Sequence, residues 1–335
     1  MLARSGPVCQ IPTWRRDLAE SFTRPADLLD YLGFEPGLRP SVSTTESGFP
    51  LLVPKPFADL MQPGHPDDPL LRQVLPLADE GHRIDGFVRD PVGDRAARRA
   101  PGLLMKYRGR ALLMVTGACA IHCRYCFRRH YRGQEAAATG KQVSAAVEMV
   151  ARDRTIDEVI LSGGDPLLRD NAFLAELFTD LASIQHLRRL RVHTRLPVVL
   201  PTRVDSELER ILTGLPIRCS IVLQVNHPNE LGPAARSALV ALRRTGTVLL
   251  NQSVLLRGVN DEAACLARLQ EALFDLGVLP YYLHQLDRVQ GAAHFAVADA
   301  HAKTLVDALR LRLPGYLVPR LVRELPGHPS KVPIG

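Results

Sequence analysis

From residue 111 onward the chain alternates short runs of Val, Leu and Ile with amphipathic stretches, and this rhythm restricts the fold more than any other feature. The runs cover residues 111–116, 158–161, 190–193, 220–225, 248–253 and 279–286. After the first interval their starts recur about every thirty residues, the length of one strand and helix unit. Between them, segments such as 143–152, 171–181, 234–245 and 262–276 carry apolar residues at helical spacing. Strands separated by such crossovers lie parallel. Six units predict an α/β fold: a partial, TIM-like β/α barrel short of the closed eight.

Residues 1–100 break the rhythm. They hold many prolines and short helical patches at 25–32 and 68–75, so a helical N-terminal region is expected, with a boundary near Pro101. The barrel then spans 101–296. Residues 297–335 add a helix at 298–311, a strand-like stretch at 315–325 and a turn-rich tail.

Parallel barrels carry their chemistry at the C-terminal mouth, where strands exit. Every exit here is polar: a cysteine loop, Ser162-Gly-Gly-Asp165, His193-Thr-Arg195, Gln224 with Asn226, Asn251-Gln-Ser253, and Asp287. One polar exit is what any strand reaching solvent shows. Six together predict a site at the mouth.

The balance of charge narrows the function classes. Lys and Arg total 42 against 35 Asp and Glu, a net +7, but the charges are dispersed and aromatics make up only 5%, so no direct nucleic-acid partner is expected. No run of eighteen apolar residues and no apolar N-terminal leader is present, so a cytoplasmic protein without a membrane partner is expected.

The cysteine loop reads Gly117-Ala-Cys-Ala-Ile-His-Cys-Arg-Tyr-Cys-Phe-Arg-Arg-His130. Cys119, Cys123 and Cys126 could hold three corners of a four-iron cluster and leave one iron open, or form a zinc site with His122 or His130, or be buried thiols. Cys9, Cys219 and Cys265 are scattered singly and read as buried thiols.

The spacing Cys-x3-Cys-x2-Cys, with Tyr125 before the last cysteine, resembles the radical S-adenosylmethionine superfamily. That resemblance implies a [4Fe-4S] cluster whose open iron holds S-adenosyl-L-methionine. It also implies a place in the S-adenosylmethionine site for Ser162, Gly163, Gly164 and Asp165, the paired glycines letting backbone approach the ligand.

Longer stretches resemble lysine 2,3-aminomutase. They are Cys123-Arg-Tyr-Cys-Phe-Arg-Arg129, Leu161-Ser-Gly-Gly-Asp-Pro166, Asn226-His-Pro-Asn-Glu230, the segment 251–261, Pro280-Tyr-Tyr282 and Pro329-Ser-Lys331. The segments 65–76, 127–130 and 290–295, and a chain that stops soon after Lys331, resemble the branch that makes β-lysine for elongation factor P.

The resemblance implies pyridoxal 5'-phosphate carried on a lysine, and only Lys55, Lys106, Lys141, Lys303 and Lys331 exist. Lys331 matches the Schiff-base position, although alone it would read as a solvated tail lysine. Lys106, Tyr107 and Arg110 match positions near the cofactor phosphate, with Lys106 standing where the family has arginine. Arg128 matches the residue that grips the substrate carboxylate. Asp287 and Glu324 match the pair that receives the ε-ammonium of lysine, Glu324 standing for an aspartate. Gln252 matches a position near S-adenosylmethionine, and Gln224 occupies a place where histidine is expected.

The implied reaction moves the amino group of L-lysine from C2 to C3. The implied partners are L-lysine, a reducing protein such as flavodoxin or ferredoxin, and, through the product, elongation factor P and its lysyl ligase. Assembly into a homo-oligomer stays open. So do two rival functions: a catabolic aminomutase acting on free lysine or glutamate, and a non-catalytic iron-sulfur or zinc protein binding RNA.

Overall fold

A computed structural model describes residues 11–43, 49–131 and 138–334, so Cys9 lies outside the described residues. Among these, ten strands form one sheet in sequence order. They are β1 (Arg98–Ala100), β2 (Leu103–Leu104), β3 (Arg110–Thr116), β4 (Glu158–Gly163), β5 (Arg189–Thr194), β6 (Arg218–Leu223), β7 (Val248–Leu255), β8 (Val278–Gln285), β9 (Arg320–Arg323) and β10 (Val332–Pro333).

Strands β3 to β9 pair in parallel, while β1, β2 and β10 extend the two ends antiparallel. The edges do not pair with each other, which makes the barrel partial. The strand-like stretch near the C-terminus thus becomes a seventh parallel strand, one more than the rhythm suggests. It escapes a count of units because a hairpin, not a helix, follows it.

Four short helices precede the sheet: α1 (Thr13–Ala19), α2 (Pro25–Tyr31), α3 (Lys55–Ala58) and α4 (Pro69–Arg72). Asp68 starts α4 by accepting from the amides of Leu70 and Leu71. The crossovers carry α5 (Gly140–Arg152), α6 (Asn171–Ala182), α7 (Leu196–Val199), α8 (Ser206–Thr213), α9 (Pro233–Arg244), α10 (Ala263–Asp275) and α11 (Asp299–Arg312). No helix among the described residues is long and apolar enough to cross a membrane.

Alternation along each strand sorts side chains by face. One face carries Ala111, Leu113, Val115, Val159, Leu161, Leu190, Val192, Ile221, Leu223 and Leu249, which join the apolar sides of the helices in one core. Trp14, Leu28, Phe57 and Leu71 of the N-terminal helices belong to that core too, so the described residues before the sheet pack into the same core as the barrel. The opposite face is the lumen. Because register partners share a face, it receives Arg110, Ser162, Arg191, His193, Gln252, Tyr282 and His284.

Candidate active site

The cysteine loop leaves β3 and is fixed to the exit of β4 through backbone. The amide of Gly164 donates to Thr116 O at 2.8 Å and that of Asp165 to Ala118 O at 2.8 Å. A Cβ on Gly164 would lie 1.9 Å from Ala118 O, and one on Gly163, whose φ is +121°, would lie 2.5 Å from Thr116 O. The paired glycines are expected to bring backbone to a ligand; here they bring it against the cysteine loop. The Asp165 carboxylate is likewise occupied inside the fold. It accepts from Thr194 Oγ1 at 2.8 Å, the Arg195 amide at 2.7 Å and the Leu167 amide at 3.1 Å.

The arginines of the loop divide their work. Arg124 and Arg129 are buried and both pair with the buried carboxylate of Glu80. Arg129 also donates to Gly291 O at 2.9 Å, and a side chain at Gly291 would strike its guanidinium. Phe295 meets Tyr125 edge-on at 6.2 Å between centroids. Segment 290–295 thus supports the back of the loop. Arg128 turns the other way, donating to Asp94 Oδ2 at 2.6 Å and Ser162 Oγ at 3.0 Å.

Cys119, Cys123 and Cys126 are each partly exposed on this loop. His122 and His130, the histidines a zinc site would borrow, turn ring nitrogens to the carbonyls of Pro50 and Gln290. Among the described residues no three His, Cys, Asp or Glu side chains gather closely enough to hold a single metal ion. A cubane cluster spreads its ligand sulfurs more widely than a zinc ion with sulfurs at about 2.3 Å does, so a three-thiolate donor set on one loop fits the cluster. Cys219 and Cys265 are single thiols that burial pushes up to about 12 and about 11, as inert core cysteines behave.

A second group of charges lies where β8 and β9 exit. Glu324 receives Lys331 Nζ at 2.7 Å and Lys106 Nζ at 2.9 Å. Burial would raise its carboxyl, but the two ammonium groups outweigh it and hold Glu324 down to about 2. Lys106 also meets Asp94 at 2.6 Å and Val92 O at 2.9 Å. The resemblance assigns Lys106 to a phosphate; the structure gives its charge to two carboxylates, so it acts here as a bridge. Arg110 is freer, with Glu158 at 3.9 Å and a side chain 41% exposed. Tyr107 lies against Glu324, where burial and that carboxylate hold its phenol above the ordinary range.

Asp287 behaves oppositely to Glu324. Its Oδ1 is shielded from solvent and has no hydrogen-bond partner, and burial together with nearby Glu324 pushes the carboxyl up to about 7. An orphaned buried acid beside a salt-bridged one asks for a cation. The charge of Lys331 partly offsets this rise, and its Nζ lies 5.7 Å from the centroid of the Tyr282 ring. The other lysines are placed elsewhere: Lys55 pairs with Asp59 at 2.8 Å, and Lys141 and Lys303 are exposed on α5 and α11.

Among the lumen residues, His193 is one of the polar strand exits noted above, whereas Arg191 and His284 carry no site expectation from the sequence. His193 and His284 are held below the usual histidine range by burial first, His284 down to about 3, and Lys331 adds to both shifts. Arg191 grips Glu158 with three hydrogen bonds, of 3.1, 2.7 and 2.6 Å, to its two oxygens. The period-two pattern marks these positions, since they alternate with the buried apolar residues of β5 and β8. Asp94, which joins Lys106 to Arg128, lies on an irregular segment that offers no such signal.

With this geometry in view, residues 113–264 match the model of the Radical SAM superfamily. The L-lysine 2,3-aminomutase of Escherichia coli (strain K12) is 46% identical over 322 residues, covering 96% of this chain and 94% of that one. This chain belongs to the lysine 2,3-aminomutase family. Further members are the L-lysine 2,3-aminomutases of Haemophilus influenzae, 45% identical over 84% of each chain, and of Clostridium subterminale, 31% identical over 96% of this chain and 77% of that one. The family's radical SAM architecture is the partial β/α barrel described above.

Proposed function

We propose that this protein is an L-lysine 2,3-aminomutase, an isomerase that converts L-α-lysine to β-lysine. The observation that carries the choice of lysine is the acid pair, Asp287 with its shielded, unpartnered oxygen and Glu324 beside it. A side chain ending in an ammonium satisfies the Asp287 carboxylate, whereas glutamate would add a third negative charge.

In this reading Cys119, Cys123 and Cys126 hold the [4Fe-4S] cluster. Ser162 and Gln252, the latter on the lumen face of β7, line the space for S-adenosylmethionine, and the Gly163-Gly164-Asp165 turn, packed on the cysteine loop, holds that loop at its rim. Lys331 carries pyridoxal phosphate, with Tyr107 and Arg110 toward its phosphate and Lys106 acting through Glu324. When bound, these groups supply one-electron chemistry and a conjugated system through which nitrogen migrates.

The protein's own task is to hold lysine at both ends. Arg128, oriented by Asp94 and Ser162, offers its guanidinium to the α-carboxylate. Asp287 and Glu324 take the ε-ammonium. The walls of the lumen keep water from the reacting carbons.

The resemblance of segments 65–76, 127–130 and 290–295 to the β-lysine branch supports elongation factor P as the destination of the product. Competition between lysine and glutamate in the anaerobically reconstituted enzyme tests the specificity. Selective turnover of lysine is expected, and turnover of glutamate at a comparable rate would refute it.

A further inference from the structure

We infer that Arg195 is a positioning residue for the iron-sulfur cluster: its guanidinium donates to the sulfur of Cys123, stabilises the reduced cluster, and is itself moderated by Glu230. The inference rests on the three-cysteine reading above and extends it to a residue outside the loop.

Arg195 follows β5 and lies 6% exposed. Its NH1 lies 2.7 Å from Cys123 Sγ, while NH2 donates to Gln73 Oε1 at 2.8 Å and Glu230 Oε2 at 2.9 Å. The backbone is fixed as well, the amide donating to Asp165 at 2.7 Å. The guanidinium is therefore held by groups other than the cysteine. Its Nε is buried without a partner, leaving one more donor on the same group.

Glu230 is fully buried and equally well tied. Its Oε1 accepts from the amides of Asn226 and His227, both at 3.0 Å, and from Gln73 Nε2 at 3.1 Å. A fixed acid thus restrains a fixed base whose NH1 faces the sulfur.

The consequence is electrostatic. A one-electron donor protein, such as a reduced flavin or low-potential iron-sulfur carrier, passes one electron to the oxidised cluster. Reduction adds a negative charge to a centre that three thiolates already make negative. Hydrogen bonds to cluster sulfurs and nearby positive charge raise the reduction potential. Arg195 supplies both, and Glu230 cancels part of the charge, so the two residues set the potential in opposite directions. Neither role requires contact with substrate.

The test is an anaerobic potentiometric titration of the reconstituted holoprotein, followed by electron paramagnetic resonance without added S-adenosylmethionine. Arg195→Gln combined with Glu230→Gln removes both charges and leaves no buried ion unpaired. Its cluster should load with normal iron and sulfide and show a midpoint shifted negative. Glu230→Gln alone leaves the guanidinium uncompensated and should shift the midpoint positive.

Shifts of opposite sign support the inference, because loosened packing would move both variants alike. An unchanged midpoint in a fully loaded double variant, or shifts of the same sign, overturns it. If the double variant fails to load, Glu230→Gln decides alone: a positive shift upholds the inference and no shift refutes it. Failure of the wild type to bind a cluster would instead refute the three-cysteine reading.

Discussion

Two carboxylates that the family resemblance treats as a pair sit in opposite electrostatic states. Glu324 is saturated by Lys106 and Lys331, while Asp287 has a shielded oxygen with no partner and is pushed up to about 7, chiefly by burial. Free enzyme must therefore ionise Asp287 to receive the substrate ammonium, and kcat/KM for lysine should rise with pH through about 7. Asp287→Asn should lose that limb and on the order of a hundredfold in kcat/KM, the worth of one charge-assisted hydrogen bond of ~2–3 kcal/mol. The stability of the same variant gives a second reading. A carboxyl raised in the folded state contributes stability below its unfolded value, and this is lost as pH rises through about 7. Relative to wild type, Asp287→Asn should become progressively more stable from about pH 4 to about pH 7 and gain nothing further above that, measured by urea unfolding of cofactor-free protein. Lys331, the lysine beside Tyr282, should carry the phosphopyridoxyl label after borohydride reduction and peptide mapping. Label on Lys106 would contradict the assignment.

The element that matters most is the β4 exit. Its Gly163-Gly164 turn is pressed against the cysteine loop so closely that Gly164→Ala puts a methyl 1.9 Å from a backbone oxygen. That variant should lose on the order of 3 kcal/mol of stability and most of its iron, measured by denaturant unfolding and metal analysis. The motif was legible in the sequence, but its partner was not, because glycine reports a close approach without saying to what. Much else at this scale was readable. The runs at 111–116, 158–161, 190–193, 220–225, 248–253 and 279–286 overlap β3 to β8, because buried strands carry apolar runs that sequence displays directly. Helix α8 gives only a weak sequence signal because Leu208 and Leu212 alone mark its buried side, although Asp205 caps it. The Asp94 bridge was invisible for a different reason: it joins residues far apart in the chain, and local periodicity carries no information about such contacts.

Over the whole molecule, the sheet leaves its edges unpaired, and the Lys106 to Glu324 ion pair links the segment after β2 to the exit of β9. Charge rather than strand pairing draws the two ends together, which sets the acid pair, Lys331 and Arg128 around one lumen. If the product serves elongation factor P, as proposed, it is needed only in small amounts. Deleting the gene should leave growth on lysine unchanged and remove the β-lysyl group from elongation factor P, as read by mass spectrometry of the intact factor. The central claim, that this lumen isomerises lysine, is tested most directly by anaerobic incubation of the reconstituted protein with carbon-13-labelled L-lysine, S-adenosylmethionine, pyridoxal phosphate and a low-potential reductant, followed by nuclear magnetic resonance. The account predicts β-lysine, formed only when every cofactor is present and absent with Cys123→Ala or Lys331→Ala. Unaltered lysine from a protein shown to hold a full cluster and pyridoxal phosphate on Lys331 would contradict it.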